Sequence, residues 1–155
     1  MTIISRSVKY TRSIGFKIAR LALPGDIICL YGDLGSGKTV LTKGIAQCLG
    51  VNPDSVISPT FVILRVYDSE PQLHHFDFYR LIAQKDIALL GIEEYLYSNA
   101  ISVIEWPDRL GRFLPKEFLK VELKIKNKNT RLLKFSGLGK YYKDRAKDIY
   151  ENIGN

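Results

Sequence analysis

No run of apolar residues in this chain approaches the roughly 18 that a membrane-crossing helix needs, so no membrane span is expected. The first residues, Met1-Thr2-Ile3-Ile4-Ser5-Arg6, lack the apolar core and cleavage site of a secretory signal. A cytoplasmic protein is the expectation. Cysteine is scarce: Cys29 and Cys48 each sit in an apolar run without further ligand-type residues close by. They read as small core side chains, and a cysteine metal site is not expected. Acid is in short supply as well, 16 Asp and Glu against 23 Lys and Arg, for a formal charge of +7. No internal repeat or low-complexity segment breaks the 155 residues, which suit one domain able to bury about two-thirds of its unfolded surface.

Glycine is concentrated in Gly32-Asp33-Leu34-Gly35-Ser36-Gly37-Lys38-Thr39, a match to G-x-x-x-x-G-K-[ST] at every fixed position. The glycines let the backbone curl so that successive N–H groups face a phosphate. In such a loop Lys38 brings charge to the β/γ oxygens, and the Thr39 hydroxyl can hold Mg²⁺. The flanks agree with the motif. Asp26 to Tyr31 is a short apolar run introduced by Pro24-Gly25, as expected of a buried strand. Val40 to Leu49 has helical spacing, with Gly50 as its stop, and the start of that helix adds its positive dipole end.

Ser7 to Leu23 predicts an N-terminal helix with Ile14, Ile18 and Leu21 on one stripe and Thr11 near its start. Residues Val51 to Thr60 form a turn-rich loop in which Pro59 holds Ser58 extended. Thr60 is then either a switch-loop contact to metal or γ-phosphate, or an ordinary loop threonine leading into a strand. Phe61 to Tyr67 and Gln72 to Tyr79 predict an antiparallel pair, with His75 and Asp77 on one face and Phe76 and Phe78 on the other. Asp77 is a candidate supporting ligand of a metal, or a surface acid.

Ile82 to Tyr97 has a helical pattern that Gly91 divides, with Ile87, Leu89 and Leu90 available to pack inward. Ile101 to Trp106 is a mostly apolar strand ending in an acid, the Walker-B pattern. Glu105 can therefore polarise a water or reach Mg²⁺; the bland alternative is a strand-end surface Glu. Lys120 to Lys126 alternates charged and apolar residues, as a half-exposed strand does, and returns through Thr130 to Phe135. Tyr141 to Tyr150 reads as a solvated basic and aromatic helix. From Arg112 to Lys134 there are eight Lys or Arg against Glu117 and Glu122. Such a surface attracts polyanions, RNA included, or merely solubilises the chain.

Four separated motifs coincide: the loop ending in Gly37-Lys38-Thr39, Ser58-Pro59-Thr60-Phe61, His75-Phe76-Asp77-Phe78-Tyr79-Arg80-Leu81, and Ile104-Glu105-Trp106-Pro107. In this order and spacing the chain closely resembles the TsaE (YjeE) family, small bacterial ATPases of tRNA threonylcarbamoyladenosine formation, from about Ser7 to Arg131. The resemblance implies a three-layer α/β sandwich of the P-loop NTPase type with a mixed sheet. It implies that Gly35, Ser36, Gly37, Lys38, Thr39 and Val40 wrap the phosphates of ATP or ADP, with Thr39 and Glu105 on Mg²⁺. Asp77 matches a family acid needed for hydrolysis, Thr60 lies in a switch-like segment, and Trp106 matches the tryptophan beside the acid. Thr11 and Arg131 would approach the nucleoside. Val40 stands where the family often has a second hydroxyl residue.

By the same resemblance the partner is a TsaB–TsaD pair, with tRNA reached through that complex and the chain alone a monomer or weak oligomer. Two other functions fit the loop. One is a nucleotide-gated protein or RNA clamp with incidental hydrolysis. The other is a small-molecule kinase, disfavoured because no lid-sized insertion separates the strands.

Overall fold

The computed structural model describes residues 1–81 and 84–154. Its elements run β1 (Thr2–Ser5), α1 (Val8–Leu21), β2 (Ile27–Tyr31), α2 (Lys38–Cys48), β3 (Leu64–Tyr67), β4 (Leu73–Asp77), α3 (Gln84–Leu89), α4 (Ile92–Leu96), β5 (Ile101–Glu105), a 3₁₀ segment (Pro107–Phe113), β6 (Phe118–Ile125), β7 (Arg131–Leu138) and α5 (Lys140–Gly154). The strands form one sheet in the order β1-β7-β6-β2-β5-β4-β3. Parallel pairing links β6, β2, β5 and β4, and antiparallel pairs close both edges.

Alternation along the central strands explains the layers. Ile28 and Leu30 of β2 join Val103, Val121 and Phe135 under α1, α2 and α5. Ile27 and Cys29 point the other way, to Phe76, Ile104 and the helices that carry Ile87, Ile92 and Leu96. Burial on both faces is what a central parallel strand requires, and β2 reads accordingly as an unbroken apolar run. The result is an α/β three-layer sandwich with a mixed sheet, as expected.

Helices α1 and α2 meet backbone to backbone. A Cβ on Gly44 would fall 1.9 Å from the Arg12 carbonyl oxygen, and one on Gly15 2.1 Å from that of Leu41. Ser7 caps α1, its hydroxyl accepting from the Tyr10 N–H at 3.0 Å.

Three expectations need correction. The strand foreseen from Phe61 begins only at Leu64. Pro59 carbonyl accepts from the N–H groups of Val62 and Ile63, and Ile63 takes a left-handed φ of 68°, so Phe61 to Ile63 is a turn. Leu89 and Leu90 do not pack inward; they are 86% and 41% exposed, and only Ile87 of that trio is buried, while Gly91, in a left-handed conformation, turns the chain into α4. The expected start of that helical pattern, Ile82, lies outside the described residues. Finally, α5 is not a free solvated helix: Tyr142, Ala146, Ile149 and Ile153 bury one stripe against the sheet.

Candidate nucleotide site

The phosphate-type loop leaves β2 at Tyr31 and enters α2 at Lys38. Its turns require glycine: Gly35 and Gly37 have φ of 76° and 105°, and a Cβ on Gly32 would meet the Leu123 carbonyl oxygen at 2.4 Å. Lys38 is 5% exposed. Its Nζ donates to the carbonyls of Gly32 at 2.6 Å and Asp33 at 3.0 Å, and lies 4.1 Å from the centroid of the Trp106 ring. Burial holds its pKa below the ordinary lysine value, against the opposing pull of Glu105, Asp77 and Asp33.

Glu105 ends β5, beside Leu30 of β2 and Asp77 of β4 in register. This placement brings three elements to one point. The Thr39 hydroxyl, in the first turn of α2, lies 3.0 and 3.2 Å from the two carboxylate oxygens of Glu105. His75 Nε2 lies 2.9 Å from Oε1 of the same carboxylate. Asp77 receives the hydroxyls of Ser58 and Thr60, the latter at 2.9 Å, while its other oxygen accepts from the Tyr79 N–H at 2.8 Å. Trp106 follows Glu105 in a left-handed conformation, φ 59° and ψ 48°, which is uncommon for a bulky residue and typical of strained functional positions.

A cleft of about 330 Å³ is bounded by Lys38, Thr39, Thr60, Asp77, Glu105 and Trp106. A second of about 210 Å³ lies across the loop, with Thr11, Lys128 and Arg131 on its wall. Gly35, Gly37 and Val40 border both. Arg131 donates to the loop carbonyls of Ser36 at 3.2 Å and Gly35 at 3.3 Å, so it braces the loop from the second cleft. Thr11 is buried, its hydroxyl 2.8 Å from that of Ser5. Every residue singled out from the sequence thus lies in or beside these two clefts.

The donor set suits a phosphate chain with a divalent cation. Ser36 Oγ is buried with no partner, Lys38 has only neutral carbonyl acceptors, and Thr39 and Glu105 offer hydroxyl and carboxylate oxygens side by side. Three contributors escaped the sequence reading. Ser58 and His75 were visible as residues but had no role, and Tyr79, whose ring lies 5.0 Å from Trp106, walls the cleft. The shared strand face of His75 and Asp77 was legible. Its pairing beside β5, which delivers His75 to Glu105, was not.

The family model described as "Threonylcarbamoyl adenosine biosynthesis protein TsaE" matches residues 5–133. The "tRNA threonylcarbamoyladenosine biosynthesis protein TsaE" of Bacillus subtilis (strain 168) is 35% identical over 148 residues, 94% of this chain and 92% of the relative. The protein of that name from Treponema pallidum is 36% identical over 125 residues, 81% of this chain and 92% of the relative. Among solved structures, the crystal structure of Bacillus subtilis YdiB superposes with a TM-score of 0.82 at 30% identity, over 97% of this chain and 94% of that one. The phosphate-type loop, the acid at the end of β5 and the matched span from residue 5 to residue 133 lead to one conclusion: this chain belongs to the TsaE family of threonylcarbamoyladenosine biosynthesis proteins.

Proposed function

We propose that the protein binds ATP with Mg²⁺ and hydrolyses it to ADP and phosphate, and that this turnover serves tRNA threonylcarbamoyladenosine formation through a TsaB–TsaD complex in the cytoplasm. The observation that carries the reading is the Thr39 hydroxyl set against the Glu105 carboxylate at 3.0 and 3.2 Å, with Lys38 on the same rim. The named relatives support the pathway.

Each side chain then has a task. The loop amides, Ser36 and Lys38 bind the phosphates. A phosphate oxygen is a charged acceptor and competes well with the two carbonyls that Lys38 now engages. Thr39 and Glu105 would hold Mg²⁺, whose charge would offset that of the phosphate chain. Asp77, its carboxylate held by Ser58, Thr60 and the Tyr79 N–H, orients the attacking water. Arg131 keeps the loop in shape. Thr11 and Lys128 face the nucleoside side.

No arginine borders the phosphate cleft among the described residues. An arginine brought to the transition state is worth large factors in related enzymes, so hydrolysis by the isolated chain is slow and the partner pair accelerates it. Phosphate release measured with Mg²⁺, with and without TsaB–TsaD, tests the proposal. Rapid turnover alone that the pair leaves unchanged would refute it. Tryptophan emission is a second test: Trp106 is the only tryptophan and stacks on Lys38, so ATP or ADP must perturb it. A flat titration would count against the site.

A further inference from the structure

The inner face of β1, β7 and β6 is buried under the helices through Ile3, Leu133, Phe135, Leu119, Val121 and Leu123. Their outer face is different. The helices on that side pack over β2, β5 and β4 and cover Phe118 at the start of β6, and beyond it the alternate residues of β6, β7 and β1 remain exposed or half-exposed. Register fixes who sits there. Lys120 faces Ser136, Glu122 faces Lys134, Lys124 faces Leu132, and Thr2 and Ile4 of β1 continue the rows. Three lysines on this face, with Lys126 exposed just beyond β6, stand against one acid, Glu122.

That acid lies 3.3 Å from Lys120. No carboxylate among the described residues comes within 4 Å of Lys124, Lys126 or Lys134. Glu122 is thus the one acid among the described residues on a face that is otherwise positive. We propose that the uncovered outer face of β6, β7 and β1 binds the phosphate backbone of a structured RNA, at a surface separate from the nucleotide clefts.

A protein partner fits less well. Lysine is depleted at the centre of protein interfaces, which rely on protruding aromatic or arginine anchors. Here the aromatics on this side offer no such anchor: Phe118 is buried, and Tyr31 of neighbouring β2 is half-buried with the Lys120 ammonium 4.5 Å above its ring. Lysines spread over a flat sheet contact phosphates without reading bases, so affinity should be salt-dependent and largely independent of sequence.

The test uses the full chain and fluorescein-labelled bulk tRNA, followed by anisotropy over a range of KCl. Engagement of about three phosphates predicts that log K falls with log [KCl] at a slope of roughly −2 to −3. The triple variant Lys120→Gln, Lys124→Gln, Lys134→Gln should weaken binding about tenfold or more at low salt and flatten that slope. Glu122→Lys should tighten it, a gain that misfolding cannot mimic.

Two controls separate the surface from other causes. Lys9→Gln, Lys143→Gln, Lys147→Gln removes the same charge from exposed positions on α1 and α5 and should leave binding within about twofold. An equal loss there would reduce the effect to net charge and overturn the proposal. Lys38→Ala should bind tRNA normally; loss would mean that the RNA occupies the phosphate loop. Displacement by polyglutamate as effective as that by unlabelled tRNA would assign the face to an acidic protein, and no binding at low salt would refute the surface outright.

Discussion

His75 Nε2 lies 2.9 Å from Glu105 Oε1, with the imidazole wholly buried and the carboxylate nearly so. The histidine reaches that acid because β4 and β5 run parallel with Asp77 opposite Glu105. A carboxylate shared by Thr39 and His75 has little freedom to rotate. His75→Ala should therefore destabilise the fold by about 2–3 kcal/mol, the cost of leaving a buried charged acceptor short of a partner. It should also lower kcat more than nucleotide affinity. His75→Gln, which restores a donor, should recover part of both, as read by thermal unfolding and phosphate release.

Lys38 and Glu105 should separate binding from turnover. Lys38→Ala should abolish the Trp106 response to ATP. Glu105→Gln keeps the shape and a polar contact to Thr39, so it should retain binding while slowing hydrolysis by about 10²–10³-fold. Equal turnover in wild type and Glu105→Gln would remove the acid from the chemistry.

Burial depresses the Lys38 pKa, and the sign of the pH dependence follows. At neutral pH the folded protein carries the cost of a desolvated ammonium; that cost is relieved as pH rises through the depressed pKa. Phosphate binding needs the ammonium and is lost in the same window. Nucleotide affinity should then decline on the alkaline side before 10.5, the ordinary lysine value. Affinity constant up to that pH would contradict the assignment.

Val40 borders both clefts and has no hydroxyl. Val40→Thr places one on that rim, and a hydrogen bond to a charged acceptor is worth about 1.5–3 kcal/mol. The variant should bind ADP about tenfold or more tighter by calorimetry. An unchanged constant would show that this side chain does not reach a phosphate.

Gly44→Ala tests the α1–α2 contact, where the added carbon would lie 1.9 Å from a carbonyl oxygen. Helix propensity alone favours alanine by up to about 1 kcal/mol. Net destabilisation of about 1–3 kcal/mol in denaturant unfolding would show that the close approach outweighs it.

The phosphate loop, β2, α2 and the acid of β5 were legible because each depends on local chemistry: glycine turns, an unbroken apolar strand, and an acid at a strand end. The resemblance carried the layer order. What escaped had two sources. Phe61 to Ile63 has the composition of a strand, yet hydrogen bonds from the Val62 and Ile63 N–H groups to the Pro59 carbonyl hold it in a turn, and the other misses depended on partners distant in sequence. The alternating charges of α5 masked a stripe of Tyr142, Ala146, Ile149 and Ile153 that only the sheet reveals. His75 needed the β4–β5 register before it had a role.

Thr60 hydrogen-bonds Asp77 inside the cleft, and the very next side chain, Phe61, is 79% exposed with the Arg80 guanidinium 4.1 Å from its ring. One peptide unit thus separates the proposed site of γ-phosphate chemistry from the outside of the molecule. Any partner resting on that aromatic ring would sense phosphate loss almost directly, without a message having to cross the sheet.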